Sequence, residues 1–309
     1  MPQFGHGGND CTEPTSIVSS QFVHLYVPAE TSLPVGTGSA IGYPLVVVPP
    51  RYPAPPRLLD ALGNLAGNMS RYREHPPPPD LAALVACTWE RAEGPEPEGA
   101  VRVLPDGCVD VVWSTRAGLV LAGPDTGPVV YPVERDYAAA GLRLRPGVAG
   151  AVLGLPASEL RDERPELSAL WGRDAARLEE RLALADPSER RKLLEESVRP
   201  LARQADPDEL VLAGLPLLGR RGSSVAELAR TLAISERALR RRFNAAIGYG
   251  PKRLDRIIRF RRLLRLASLR PQDGLAAAAA ELGYADQAHL TREVRELSGL
   301  TPAELLALS

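Results

Sequence analysis

A chain of 309 residues, 44% hydrophobic and 24% charged, holds enough apolar material for a sizeable core and room for two domains, which excludes a wholly disordered polymer. No run of about 18 apolar residues offers a membrane span, and the start, MPQFGHGGND, lacks the basic-then-apolar layout of a secretory signal, so a cytoplasmic protein without a membrane partner is expected. The net charge of −1 conceals an asymmetry: residues 1–219 hold 20 basic and 29 acidic side chains and residues 220–309 hold 17 and 9, the balance of a polyanion-binding module fused to an acidic partner.

In chain order, the first 79 residues contain 14 of the 30 prolines, and their short apolar runs are chopped by Gly and Pro. Residues 1–75 are therefore expected to be a leader with little packed structure, and Met69, which precedes the onset of globular patterning, is an alternative start. From Leu81 to Arg145 short apolar runs (LVACTWER, VRVLPDGCVDVVWS, LVLAGPDT, VVYPVE, AAAGLRLRP) are bounded by Gly, Pro and Asp, which predicts a small antiparallel sheet or barrel. After Pro146 the pattern turns helical. Arg173 to Ala185 and Pro187 to Gln204 read as amphipathic helices, the second opened by Asp186 and Pro187, and Asp206-Pro207 repeats that signal for a helix to Leu218. The organisation expected is a regulatory domain over 76–205, for effector binding or dimerisation, a linker helix and flexible basic hinge (GRRGSS) over 206–222, and a DNA-binding module over 223–309.

Candidate chemistry in the first half is sparse. Cys11, Cys87 and Cys108 are too few and too scattered for a disulfide framework or a metal clip, and no histidine lies between residues 76 and 288, so no metal, cofactor or catalytic residue is expected. Pro105, Asp106 and Gly107 form a turn signature, and alternation then places Cys108 on one face with Asp110. A lone cysteine is most often a small buried hydrophobe, and neighbouring carboxylates would make it a poorer nucleophile. Trp89, Trp113 and Tyr131 on strand-like segments are candidate walls of an effector pocket, with a place in the core of the sheet as the more common fate of such residues. Trp171, before Gly172, reads as a packing anchor.

The last ninety residues are more informative. Ser224 and Glu227 form a capping box, and Val225, Leu228, Ala229 and Leu232 give the helix that follows one apolar face. After Ala233 and Ile234, Ser235 caps SERALRRRFNAAIG, in which Leu239, Phe243 and Ile247 recur every four residues and Gly248 terminates. Two short helices, a tight turn and a basic second helix spell a helix-turn-helix, with Arg237, Arg240 and Arg241 pointing outward near the N-terminal half that reaches base edges. The layout repeats: Asp273 can cap LAAAAAEL, and Asp286, 51 residues after Ser235, caps QAHLTREVREL. Between the units Pro251 to Ser268 predicts one helix, about 27 Å long, against the ~34 Å between successive turns of a major groove. Arg256, Arg259, Arg261, Arg262 and Arg265 on it are candidates for phosphates, with burial or pairing as the competing fate.

These residues carry a resemblance. The span from Ser223 to Leu308 resembles the tandem helix-turn-helix domain of AraC/XylS-type transcription regulators, through Ser235, Leu239, Arg241, Phe243 and Gly248, then Gly283, Tyr284, Asp286, Gln287, Leu290 and Arg292, and Gly299 to Pro302. The resemblance implies base contacts from Arg237, Arg240 and Arg241 in the first unit and from Gln287, Ala288, His289 and Arg292 in the second. Departures are Ala233 for a usual turn glycine, Leu263 for a small alanine and Val294 for a phenylalanine. Ala288 offers only apolar contact with a thymine methyl. The phrases PDGCVDVVW, LAGPDT, RLRPG and PASEL are similar to an uncharacterised N-terminal domain found ahead of this module in some regulators, where that half senses a ligand or mediates dimerisation.

The reading is an α+β chain: a small antiparallel β-sheet or barrel with helices, then an all-α double helix-turn-helix. It implies a cytoplasmic, activator-type bacterial regulator of transcription, not an enzyme. Double-stranded DNA is the expected partner, and a small-molecule effector, RNA polymerase and a second copy of the chain are further candidates. The rival readings are a thiol-based alkyl-acceptor DNA repair protein acting through Cys87 or Cys108, and a helical interaction adaptor built on residues 173–218.

Overall fold

The computed structural model describes residues 25–28, 72–92, 99–133, 137–269 and 274–307. Among them eight strands precede eleven α-helices, so the α+β organisation expected from the sequence is the one observed. None of these helices is long and apolar enough to cross a membrane.

The strands are β1 (Leu25–Pro28), β2 (Tyr72–His75), β3 (Val85–Arg91), β4 (Gly99–Val103), β5 (Val109–Ser114), β6 (Gly118–Ala122), β7 (Val129–Val133) and β8 (Ala139–Leu144). They form an antiparallel five-stranded sheet in the order β2-β3-β8-β5-β6 and an antiparallel three-stranded sheet in the order β1-β4-β7. β5 and β8 are buried on both faces. Alternation along them divides two cores: Val109, Val111, Trp113, Leu142 and Leu144 face the helices, while Val112 shares a separate core with Val101, Val103 and Tyr131 of the smaller sheet. Gly141 is required by this second core, because a Cβ there would run into the indole of Trp89.

Two strands correct the expectation of an unpacked leader over 1–75. β2 pairs with β3 in the register Tyr72↔Arg91 to His75↔Thr88, and β1 pairs with β4 in the register Leu25↔Arg102 to Pro28↔Gly99. Both add edge strands, which need only a short extended run and leave little trace in a proline-rich sequence. The rest of residues 1–71, Met69 included, lies outside the described residues.

The helical layer of the first half comprises α1 (Ala149–Leu153), α2 (Ser168–Trp171), α3 (Arg173–Leu184) and α4 (Pro187–Gln204). Asp186 caps α4 as its sequence predicts, accepting from Glu189 N at 2.9 Å. Leu178, Leu182, Leu194 and Val198 close the core against the sheet, and Trp171 packs on its edge. The guanidinium of Arg190 lies 4.2 Å over the Trp113 ring.

The connection to the second half differs from the expected helix over 207–218. Asp208, not Asp206, is the cap of α5 (Glu209–Gly214), and a turn of 3-10 helix over Leu215–Leu217 follows where Pro216 breaks the hydrogen-bond ladder. Nor is GRRGSS a free hinge. Asp255 accepts from Gly219 N at 2.7 Å and from Ser223 Oγ at 2.6 Å, and Arg262 donates to Gly219 O.

The second half holds α6 (Val225–Thr231), α7 (Glu236–Ile247), α8 (Pro251–Leu269), α9 (Gly274–Glu281), α10 (Gln287–Ser298) and α11 (Pro302–Ala307). Asp273, expected to cap α9, lies outside the described residues. Leu228, Phe243, Leu254, Ile257, Phe260 and Val294 share one core along α8. That core also takes in Leu104, Val211 and Leu218, so it extends past the 223 boundary into the first half.

Candidate nucleic-acid interface

In the first unit, Ser224 Oγ accepts from Glu227 N at 3.1 Å to start α6, and Ser235 Oγ accepts from Ala238 N at 3.2 Å to start α7. The turn between them contains Ala233 at φ 54°, left-handed backbone that suits glycine; Gly283 occupies the same place in the second unit at φ 75°. An L-residue in that region costs about 1–2 kcal/mol, and glycine returns part of the gain through unfolded-state entropy. Ala233→Gly is therefore expected to stabilise the protein by about 0.5–1 kcal/mol, a rise of a few degrees in Tm in a calorimetric scan. A fall in Tm would mean that the turn is not strained.

With Leu239, Phe243 and Ile247 buried, Arg237, Arg240 and Arg241 project into solvent. Arg240 is the one tied down, its Nη2 donating to Glu236 at 2.6 Å one turn earlier. Arg237 and Arg241, one turn apart, have no side-chain partner among the described residues. Two unpaired guanidiniums on one exposed helical face are free to bond bases bidentately, whereas Arg240 must exchange an ion pair for any new contact.

In the second unit Asp286 caps α10, accepting from His289 N at 2.6 Å. Leu290, Val294 and Leu297 face the core and leave Gln287, Ala288 and Arg292 exposed. His289 is half-buried and turned back toward the turn: its ring meets Tyr284 edge-on at 5.4 Å, and Nε2 stands 3.9 Å from Glu293. It therefore sits at the margin of the exposed face.

Four of the five arginines considered for phosphates are engaged within the protein. Arg256 Nε donates to Glu293 at 2.9 Å and its Nη2 to Glu296; Arg259 donates to Glu293 through Nε at 3.1 Å and Nη2 at 2.7 Å. Arg261 is buried and reaches Leu104 O at 3.4 Å, and Arg262 is held on Gly219. Arg265 is half-buried with no such partner among the described residues. The anchor of this cluster, Glu293, was not among the sequence candidates. Burial pushes its carboxyl up, but the hydrogen bonds from Arg259 and Arg256 more than offset this and hold it below the usual carboxylate range. Its signal was present in the sequence, since Arg256/Arg259 and Glu293/Glu296 are matched pairs at three-residue spacing on two helices.

The effector-pocket candidates do not meet in one cavity. Trp89 and Tyr131 lie in the core between the sheets, and Trp113 lies on the opposite side of the larger sheet, under the helices. A groove of about 340 Å³ does exist, but between α1, Asp206, Asp208 and the Arg242–Ala246 stretch of α7. Cys87 and Cys108 are both buried, and burial pushes both thiols up, with Asp106 adding to the effect at Cys108. Among the described residues no group of three or more His, Cys, Asp or Glu side chains could hold a metal.

Residues 228–307 match the family model described as a helix-turn-helix domain, and residues 73–166 match a domain of unknown function, DUF6597. No curated protein sequence matches the chain. Solved structures of ToxT from Vibrio cholerae are similar at low identity: one, at 10% identity and a TM-score of 0.39, covers 77% of this chain and 99% of that one, and a second, at 10% and 0.37, covers 72% and 96%. The chain thus joins a DUF6597 domain over residues 73–166 to a helix-turn-helix domain over 228–307, which carries two capped helices on an arginine-rich module.

Proposed function

We propose that the protein reads two adjacent major-groove segments of one DNA site, α7 in the first and α10 in the second, and that its N-terminal domain controls this reading. The observation that carries the proposal is the pair of uncovered faces, Arg237 with Arg241 and Gln287 with Ala288 and Arg292, near the starts of two capped helices joined by one 19-residue helix. At 1.5 Å per residue α8 is about 28 Å long, the scale needed to seat two reading helices in consecutive grooves ~34 Å apart. Control through the first half is supported by Leu104, which belongs to the core of the DNA-binding half. A small-molecule effector or a second copy of the chain would act there, and RNA polymerase would be met once the protein is on DNA.

This is a regulator and not an enzyme in our reading. An alkyl-acceptor cysteine must present a thiolate to DNA, and burial disfavours a thiolate at both Cys87 and Cys108.

The test is selection of a site from a randomised DNA library, followed by binding of single-arginine variants at two salt concentrations. Arg241→Ala and Arg292→Ala should each cost roughly 1–3 kcal/mol and relax base preference at one or two positions, in different boxes of the site. Arg240→Ala should weaken all sequences alike and lower the salt slope by about one. Unchanged affinity and base preference in both Arg241→Ala and Arg292→Ala would remove the reading.

A further inference from the structure

Each reading helix ends on a left-handed glycine, Gly248 after α7 and Gly299 after α10, and the N-terminal domain grips both ends in the same way. At the first, Arg161 Nη1 donates to Gly248 O at 3.4 Å. At the second, Arg102 Nη1 donates to Ser298 O at 2.9 Å. The two grips are joined by one short segment, residues 123–128, between β6 and β7. Pro124 lies where a Cβ on Gly248 would be, Pro128 touches the corresponding position of Gly299, and Thr126 O between them accepts from Arg253 of α8.

This segment is itself fixed. Gly123 N donates to Glu163 O at 3.1 Å, Thr126 N and Oγ1 donate to Asp162 at 2.7 and 3.0 Å, and Arg164 holds Asp125 at 2.6 and 2.7 Å. Two prolines, three anchored residues and a buried ion pair leave it little freedom. Its contacts with α7 and α10 lie at their C-terminal ends, while the exposed candidates Arg237, Arg241, Gln287 and Arg292 lie nearer the N-terminal ends that enter the groove. The contact therefore positions the reading helices and does not cover them.

We propose that Gly123–Pro128 is a spacing bridge: it fixes the separation and orientation of α7 and α10, and so restricts the protein to DNA sites with one spacing between the two boxes. The inference rests on the two-groove reading above. One base pair more or less between the boxes moves the second by about 3.4 Å along the duplex and about 34° around it, which a rigid pair of helices cannot follow and a loosened pair can.

The experiment takes the site selected by the full-length protein and adds or removes one base pair between its boxes. The unmodified protein should lose about tenfold or more in affinity at either altered spacing, and Arg102→Ala/Arg161→Ala should lose less than about threefold, with the base preferences of each box unchanged. Those retained preferences report that both reading units are folded. Pro124→Ala/Pro128→Ala loosens the segment without removing a charge and should relax the spacing in the same direction. Two boxes whose spacing both variants still enforce would overturn the bridge alone. Variants that bind the original site more tightly would overturn it in favour of an inhibitory contact. A selected site with a single box would overturn the two-groove reading, and the bridge with it.

Discussion

Arg143→Ala is expected to cost the N-terminal domain about 3–5 kcal/mol, a large part of the 5–15 kcal/mol that holds a domain folded. The guanidinium has no exposed surface. It donates to both oxygens of Asp110, from Nε at 3.0 Å and Nη2 at 2.8 Å, with Glu74 at 3.7 Å and Asp106 at 3.8 Å around it. Burial pushes the Asp110 carboxyl up, and Arg143 opposes that push. Without the arginine, Asp110 keeps the hydrogen bond from Trp89 Nε1 at 2.9 Å but has lost its nearest positive charge. Its folded pKa then stands further above the unfolded one, so between those two values unfolding releases a proton. The gap in stability between variant and parent should therefore widen as pH rises from about 4 toward neutrality. Arg143→Leu/Asp110→Leu removes both charges and should recover much of the loss, since a buried ion pair replaced by apolar groups of similar volume is often neutral or better. Thermal melts at several pH values check this. A single variant that melts with the parent, or a gap that narrows as pH rises, would show that the pair contributes little.

Why Arg143 escaped the sequence reading is instructive. The alternation in GLRLR reads as a strand with one dry and one wet face, and the strand is there, with Leu142 and Leu144 on the helix side as the pattern implies. The other face is dry as well because the β1-β4-β7 sheet covers it, and no local pattern announces that a second sheet will close over a strand. The same limit explains Arg256 and Arg259. Their helix was legible from Pro251 and its apolar stripe, but their partner Glu293 lies 37 and 34 residues away, and matched charges on two helices become a pair only once α10 is folded against α8. Short-range signals fared better. Asp186 with Pro187 marked the start of α4, Ser235 and Gly248 marked both ends of α7, and the turn at Asp106-Gly107 formed with Cys108 N donating to Asp106 Oδ1 at 2.9 Å. The exposed face of α7 followed from Leu239, Phe243 and Ile247, because three buried positions on one helix leave few orientations for the rest.

Glu293→Gln is expected to cost about 3 kcal/mol and to silence the second reading helix while the first continues to read. The substitution keeps the volume and one acceptor oxygen but turns an amide N–H₂ toward two guanidiniums, donor against donor. Arg256 retains Glu296, whereas Arg259, which also lies 4.8 Å over the Tyr284 ring, loses its main partner and remains confined there. Since α10 is held on α8 through this carboxylate as well as through Leu290 and Val294, its exposed face should lose a fixed orientation. Selection from a randomised library should then show the box contacted by Arg292 flattened and the box contacted by Arg241 unchanged. As with the Arg143 variant, the gap between variant and parent should be wider at neutral pH than in acid, here because the parent gains stability as pH rises and not because the variant loses it. Because Glu293 is held below the ordinary carboxylate range, its contribution is present at neutral pH and is lost as pH falls through that depressed value. Hydrogen-exchange protection factors in α10, corrected for the slower intrinsic exchange in acid, should therefore fall on acidification in the parent, and should already be low at neutral pH in Glu293→Gln. Base preference retained in both boxes, with slow exchange in α10, would show that apolar packing alone orients the helix and that the arginine cluster is dispensable for reading.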